Sequence, residues 1–249
     1  MQIQHLSAIL ITLCLAMVSG LSVTAADPAS AHPLPHHPDG MNEYQFNVGQ
    51  FTTLKVQDNV NVIYHCSPDT TGVVTYTSSP DFNNAFIFTN TGGTLKIQVT
   101  TEDVGKPDLP TIHVYSDFLS KVENCSDFSI WVIDPAPCPH FTASLIGNGS
   151  IDITGIHATK TTARILAGMG NISLEGKCET AEYRMTGTGT IDAEDLDAEN
   201  VVCKILGGGL ISCGNPLSLK AQGIGSTRIL YGGNPTIKHS GGGKLIKAD

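Results

Sequence analysis

The sequence has little positive charge and few aromatic residues. Fourteen lysine and arginine residues stand against 23 aspartate and glutamate residues, and the formal net charge is −9. A nucleic-acid partner requires a basic face that opposes its phosphates, so this balance argues against nucleic acid. The same balance disfavours binding to an anionic membrane surface. Aromatic residues make up 6% of the chain, with a single tryptophan, so few side chains are available to stack on sugars.

Motifs for phosphate binding and nucleophilic catalysis are also missing. No glycine-rich stretch has the spacing of a nucleotide-binding loop, and the chain has no Gly-x-Ser-x-Gly nucleophile elbow. An acidic stretch between Asp192 and Glu199 lacks the glycine and the alternating spacing of a calcium loop, which favours a solvated corner. We therefore expect no catalytic residue, no cofactor and no metal, and we predict that the protein is not an enzyme.

The cysteines have no Cys-x-x-Cys spacing, which argues against a zinc site. Six of them follow residue 26, and an even number in an exported chain permits disulfides with fifteen possible full pairings. Small buried thiols in the core are an equally good interpretation. The sequence leaves the pairing open.

Long apolar runs are absent except near the beginning of the chain. Residues 1–26 contain no charged side chain, carry an apolar run from Ala8 to Val18 and end in small residues. This pattern predicts a cleavable secretory signal over 1–26, because the run is shorter than the roughly 20 residues of a membrane span. Residues 27–43 are rich in proline and histidine and are predicted to be a disordered linker. Residues 44–249 then form one domain, exported to the periplasm or the cell surface, with no membrane span in the mature chain.

Glycine pairs recur at nearly even spacing through the second half of the chain. Their first members are separated by 21, 19, 20, 16 and 18 residues. The first glycines of these steps are Gly147, Gly168, Gly187, Gly207, Gly223 and Gly241. A period near 20 residues without helical spacing of apolar residues is typical of a solenoid built from short strands. Glycine at each corner allows positive φ or close approach of successive coils.

Alignment of the repeats at these glycines produces apolar columns, as stacked strands require. Two residues before the glycine stand Leu145, Leu166, Met185, Ile205 and Ala221. Outward residues alternate with them, except that Arg164 and Ile165 break the pattern, which predicts a bulge or a one-residue shift in that coil. Residues 126–130 stand one period earlier and resemble a degenerate first copy. The fold class is therefore all-β, a parallel β-helix with coils of roughly 20 residues.

Several segments together resemble a family of secreted bacterial proteins, "putative auto-transporter adhesin, head GIN domain". They are the alternating runs Phe51–Val56 and Val60–Ile63, the step Gly93–Ile97, the Gly-x-Gly-x-Ile repeats and the closing run Gly223–Pro235. The resemblance covers roughly residues 44–246 and implies a right-handed parallel β-helix outside the cytoplasm. It suggests adhesion and supplies no catalytic residue. This chain departs from the family where Ser126, Asp127 and Phe128 replace a glycine step, and in its number of cysteines.

One outward column carries the candidate ligand contacts. The alignment places Arg184, Lys204 and Lys220 in a row, where they would contact an anionic glycan, form the basic part of an active site, or simply be solvated. Trp131 and Tyr231 are the aromatic residues that could stack on a sugar. We expect a non-enzymatic adhesin or surface-binding module, with glycans or surface proteins as partners. The alternatives are a polysaccharide-active enzyme and a structural envelope protein with a protein partner.

Overall fold

The structure is a computed structural model that describes residues 40–248 and, before them, the backbone of two short strands. Apart from Thr24–Ala25 and His32–Pro33, the predicted signal segment 1–26 and the predicted linker as far as residue 39, with His36 and His37, lie outside the described residues. The first fully described strand begins at Asn42. None of the described residues forms a helix that is long and apolar enough to cross a membrane.

The described residues form 21 strands and one 3₁₀ helix at Pro80–Phe82. In chain order the strands are β1 (Thr24–Ala25), β2 (His32–Pro33), β3 (Asn42–Asn47), β4 (Thr53–Val56), β5 (Val62–Cys66), β6 (Val73–Ser78), β7 (Phe86–Thr91), β8 (Thr94–Val99), β9 (Ile112–Ser116), β10 (Lys121–Asn124), β11 (Ser129–Ile133), β12 (Cys138–Ile146), β13 (Ser150–Ala167), β14 (Asn171–Met185), β15 (Thr190–Asp192), β16 (Leu196–Ile205), β17 (Leu210–Ser212), β18 (Ser218–Gly223), β19 (Arg228–Tyr231), β20 (Thr236–Gly241) and β21 (Lys244–Lys247).

Most strands stack in parallel into two long sheets. The first sheet has the spatial order β8, β4, β10, the end of β12, the end of β13, the end of β14, the end of β16, β18 and β20. A shorter parallel stack joins the start of β12, the middle of β13, the middle of β14 and the start of β16. The second has the order β9, β5, β11, the start of β13, the start of β14, β15, β17, β19 and β21. Each coil gives one strand to each sheet, and the result is a β-solenoid of about six turns. The predicted solenoid is confirmed.

The core lies between the two sheets and is filled by stacked inward side chains. One column of the first sheet joins Leu145, Ile165, Met185 and Ile205, all of which are buried. The second sheet contributes a column of buried isoleucines: Ile130, Ile151, Ile172, Ile191 and Ile211. Burial of each such side chain contributes roughly 1.5 to 3 kcal/mol, so the columns hold coils that could not fold alone.

The register differs from the sequence alignment in two coils. A β-bulge separates the pairs Leu145–Ile165 and Ile146–Ala167, which confirms the predicted irregularity. The assignment of Leu166 to the core column was wrong: Ile165 is fully buried and Leu166 is 42% exposed. In a later coil Ile205 pairs with Gly223, not with the predicted Ala221. Gly225, rather than Gly223, therefore lies beside Gly207 at the corner.

Close contact between successive coils explains most of the corner glycines. A Cβ atom on Gly189 would overlap the carbonyl oxygen of Gly170, although φ at Gly189 is not positive. At Gly147 an added Cβ would lie 2.5 Å from the carbonyl oxygen of Ser126. Residues 129–130 pair with 150–151, which confirms the predicted degenerate copy one period before the first glycine step.

The beginning of the solenoid is closed by antiparallel strands. Strand β6 pairs with β3 and β9, and β7 pairs with β8. Aromatic rings pack in this cap, with ring centroids 5.2 Å apart for Tyr44 and Tyr76 and 5.1 Å apart for Phe46 and Phe88. Strand β4 lies between β8 and β10, so the order of the first coils in space differs from their order in the chain.

Candidate functional site

The outer surface of the first sheet collects most of the basic side chains. All fourteen lysine and arginine residues fall within the described residues 40–248, and nine of them occupy outward positions on this sheet. We call these nine residues the cationic face: Lys55, Lys96, Lys121, Lys160, Arg164, Arg184, Lys204, Lys220 and Lys238.

Among the described residues, Glu123 and Glu182 are the two carboxylates at outward positions of the strand segments that form the first sheet, and the exposed Glu179 and Glu199 lie just before those segments. Nine cations and two carboxylates leave a formal charge of +7 on these outward positions, in a chain whose net charge is −9. The remaining acidic side chains lie elsewhere, many of them at the corners. Because the cations are gathered on one sheet, the acidic balance of the whole chain does not argue against a polyanionic partner or an anionic membrane at this face. The expectation that nucleic acid is not a partner stays a prediction.

Glu182 organises the middle of the cationic face. Its Oε1 lies 2.8 Å from Nζ of Lys204 and 2.5 Å from a terminal guanidinium nitrogen of Arg184, and its Oε2 lies 2.9 Å from Nζ of Lys160. The Glu182 side chain is only 9% exposed, whereas its three partners are between 37% and 42% exposed. Burial alone would raise the pKa of Glu182, but the hydrogen bonds from Lys204, Lys160 and Arg184 outweigh it and lower the pKa to about 2. This carboxylate thus fixes three cations whose charge it only partly neutralises.

A similar arrangement holds the next part of the face. Oε1 of Glu123 lies 2.5 Å from Nζ of Lys55, and Oε2 lies 3.3 Å from Nζ of Lys121. Burial opposes ionisation of Glu123, yet the hydrogen bonds from both lysines hold its pKa below the usual value. Lys55 is the direct ladder partner of Glu123 on the neighbouring strand β4, whereas Lys121 lies two residues before Glu123 on β10 itself. The Lys55–Glu123 ion pair therefore stabilises the register of β4 against β10.

Unused hydrogen-bond donors remain on the face. Nε of Arg164 is buried and has no partner among residues 40–248, although the residue stands next to Arg184 in the ladder. On the other side of Arg184 a shallow groove of about 340 Å³ is lined by Arg184, Thr186, Lys204, Leu206 and Gln222, among others. Anionic oxygens are the complementary acceptors for such donors.

The structure brings the sequence-predicted contacts onto one face but not into one column. Arg184 and Lys204 are direct ladder neighbours. The placement of Lys220 beside them was wrong, because Lys220 pairs with Val202 and Gln222 occupies the position next to Lys204. The cause is the two-residue difference in register of that coil. Arg164 and Lys160 were missed for the same kind of reason, since the bulge at Leu166 hides their alignment in the sequence.

The sheet also carries exposed aliphatic side chains along one margin. The residues at the ends of β12, β13, β16 and β18, with the polar Thr186 at the end of β14 between them, are Ile146, Leu166, Leu206 and Ile224, and they are 37%, 42%, 61% and 68% exposed. We call these four residues the aliphatic edge. The backbone nitrogens of Thr186, Leu206 and Ile224 donate to the carbonyls of Ile165, Met185 and Ile205, respectively, so the three residues occupy equivalent positions in successive coils.

Other candidates from the sequence lie elsewhere. Trp131 is on the outer surface of the second sheet and is 37% exposed, whereas Tyr231 is partly buried against the core. In the acidic stretch, Asp197 pairs with Lys177 at 3.4 Å. Within residues 40–248 no group of three or more histidine, cysteine, aspartate or glutamate side chains is arranged to hold a metal ion.

Comparisons with known proteins agree on the architecture. A family model described as "Putative auto-transporter adhesin, head GIN domain" matches residues 50–235. A crystal structure of a putative adhesin from Bacteroides fragilis is 19% identical with a TM-score of 0.71, and the match covers 84% of this chain and 97% of that one. A putative lipid binding protein from Parabacteroides distasonis is 20% identical with a TM-score of 0.67, covering 85% and 98%. A putative adhesin from Parabacteroides merdae is 18% identical with a TM-score of 0.57, covering 84% and 96%. No curated protein matches the chain.

Proposed function

Because the chain belongs to the family of "putative auto-transporter adhesin, head GIN domain" proteins, we propose that it is an exported, non-enzymatic binding module that adheres to polyanionic surface ligands. Acidic glycans, with carboxylate or sulfate groups at regular spacing, are the ligand class that this chemistry fits. The contact surface is the cationic face.

The observation that carries the proposal is the segregation of charge. Nine cations occupy one sheet of a chain that is acidic as a whole. Parallel strands stack about 4.8 Å apart, so the face offers rows of cations at a repeating distance along the solenoid. A polymer with repeated anionic groups can contact several of these cations at once, and multivalent contact compensates for the weakness of each exposed ion pair.

Binding is favoured over catalysis by the state of the carboxylates. A general acid needs a raised pKa, whereas Glu182 has a pKa of about 2 and is occupied by three cations. A glycosidase also needs two carboxyl groups that flank the scissile bond. Both outward carboxylates of this sheet are instead engaged in ion pairs within the protein.

Soluble polyanions test the proposal directly. Dextran sulfate and polygalacturonate should bind the protein from residue 27 onward, neutral dextran should not, and added salt should weaken binding through screening. The triple variant Arg164→Gln, Lys220→Gln and Lys238→Gln leaves the Glu182 ion pairs in place and should bind about tenfold more weakly. The matched control removes the same charge elsewhere, with Lys177→Gln, Arg228→Gln and Lys244→Gln.

Equal loss of binding in both triple variants would show that binding depends only on the net charge of the protein. That result would refute the proposal that the cationic face is the contact surface. Shortening of polygalacturonate chains by the wild-type protein would instead favour the alternative of a polysaccharide-active enzyme.

A further inference from the structure

The aliphatic edge and the cationic face form one continuous surface. In two strands the edge residue stands two positions after a cation of the face: Arg164 precedes Leu166, and Lys204 precedes Leu206. In β14 Arg184 is followed by Thr186, which occupies the edge position there. From Ile146 to Ile224 the edge crosses four coil steps, or roughly 19 Å at strand spacing. Met169, which is 72% exposed, projects from the adjoining corner.

An acidic glycan would contact the cationic face, but it would leave the neighbouring aliphatic edge exposed to water. None of the residues in the cationic face or the aliphatic edge carries an aromatic ring that could stack on a sugar. Clustered, exposed aliphatic side chains on a soluble domain indicate a surface that becomes covered. A cationic surface bordered by leucine, isoleucine and methionine is the composition of interfacial membrane binders, whose apolar side chains enter the region of the headgroups and acyl chains.

We infer that this protein docks on an anionic phospholipid bilayer, with the cationic face against the headgroup phosphates and the aliphatic edge inserted among the acyl chains. The inference rests on the proposed function in its use of the cationic face, and adds the source of the anionic groups. Charge complementarity supplies attraction at a distance, because a surface of +7 formal charge meets the negative potential of the leaflet. The edge supplies the contact that a soluble polyanion cannot make.

The docked orientation follows from the fold. The two sheets face away from each other, so the second sheet, with Trp131, points away from the membrane. The single tryptophan of the chain therefore reports on a surface that remains in water.

Vesicle co-sedimentation tests the inference with the protein from residue 27 onward. Vesicles of phosphatidylglycerol mixed with phosphatidylcholine should bind the protein, and vesicles of phosphatidylcholine alone should not. The variant Leu206→Ser with Ile224→Ser should bind anionic vesicles at least about tenfold more weakly, because two inserted aliphatic side chains are lost. The control Val104→Ser with Leu217→Ser removes side chains that are 60% and 71% exposed but lie outside the edge, and should bind like the wild type.

Dextran sulfate binding separates this inference from the proposed function. The Leu206→Ser, Ile224→Ser variant should retain dextran sulfate binding while losing vesicle binding. Wild-type protein that binds dextran sulfate but not anionic vesicles would overturn membrane docking and leave the proposed function standing. Binding to neither probe would overturn both, and equal vesicle binding by the edge variant and the wild type would overturn insertion.

Fluorescence locates the inserted residues. In a Trp131→Phe background, Leu206→Trp should show a blue-shifted emission when anionic vesicles are added, and Leu217→Trp should not. An unchanged emission from position 206 in vesicle-bound protein would contradict the proposed orientation.

Discussion

The Sγ atom of Cys203, on the inner surface of the first sheet, lies 3.9 Å from the Sγ atom of Cys213, which follows β17 on the second sheet. Both side chains are buried, and all six cysteines of the described residues are free thiols in the structure. The sequence left the pairing of these cysteines open, and the fold brings these two into direct contact across the core.

We expect an oxidant such as diamide to join Cys203 and Cys213, each thiol giving up one proton and one electron to the reagent. The reaction should be slow in the folded protein, because the hydrogen bond with Cys203 and burial raise the pKa of Cys213 and suppress its thiolate. Closing this short loop should raise the free energy of unfolding by about 3 kcal/mol. Peptide mapping and denaturant titration check both points, with Cys203→Ser as the control. Two free thiols after prolonged oxidation would contradict the expectation.

Replacement of Gly189 tests the close packing of the corners. In Gly189→Ala the new Cβ would overlap the carbonyl oxygen of Gly170, and the coils would have to separate, so we expect a loss of about 3 kcal/mol in the free energy of unfolding. Gly208→Ala is the matched control in the neighbouring corner, since its Cβ would meet only the side chains of Ser226, at 3.2 Å, and Thr188, at 3.7 Å. Equal thermal midpoints for the two variants would rule out the packing argument.

Two adjacent residues test the bulge. Ile165 is fully buried and Leu166 is 42% exposed, although the glycine alignment assigns Leu166 to the core. Ile165→Ala should lower the free energy of unfolding by about 2 to 4 kcal/mol, and Leu166→Ala by less than about 0.5 kcal/mol. Urea titration of both variants decides the register, and the opposite ranking would restore the uninterrupted alignment.

Acid should weaken the protein through Glu182. Its pKa is about 2 in the folded protein, below the ordinary value of 4.5. A depressed carboxyl pKa contributes stability that is complete above pH 4.5 and is lost as the pH falls to about 2. Because the partner cations are partly exposed and screened, we expect this contribution to be about 2 kcal/mol.

Glu182→Gln isolates that contribution. Between pH 5 and pH 2 the free energy of unfolding should fall less steeply in the variant than in the wild type, as measured by chemical denaturation at each pH. Parallel pH profiles for the two proteins would show that the three cations do not stabilise the ionised carboxylate.

The cationic face shows where sequence reasoning reached its limit. The alternation along single strands correctly predicted that Arg184, Lys204 and Lys220 point outward, because successive side chains of a strand point to opposite sides of the sheet. Their neighbours could not be assigned in the same way. A bulge adds one residue to the coil at Leu166, and the pairing in a later coil is shifted by two residues at Gly223. Each change alters which residues of adjacent coils lie side by side.

The sequence by itself determined the solenoid and its inward and outward surfaces, since the glycine period sets the coil length and the apolar alternation sets the core. Only the tertiary structure decided which cations stand together around Glu182, and that they share one sheet with the aliphatic edge. The physical reason is that lateral register depends on hydrogen bonds and packing between coils, which join residues about 20 positions apart and leave no local signal in the chain.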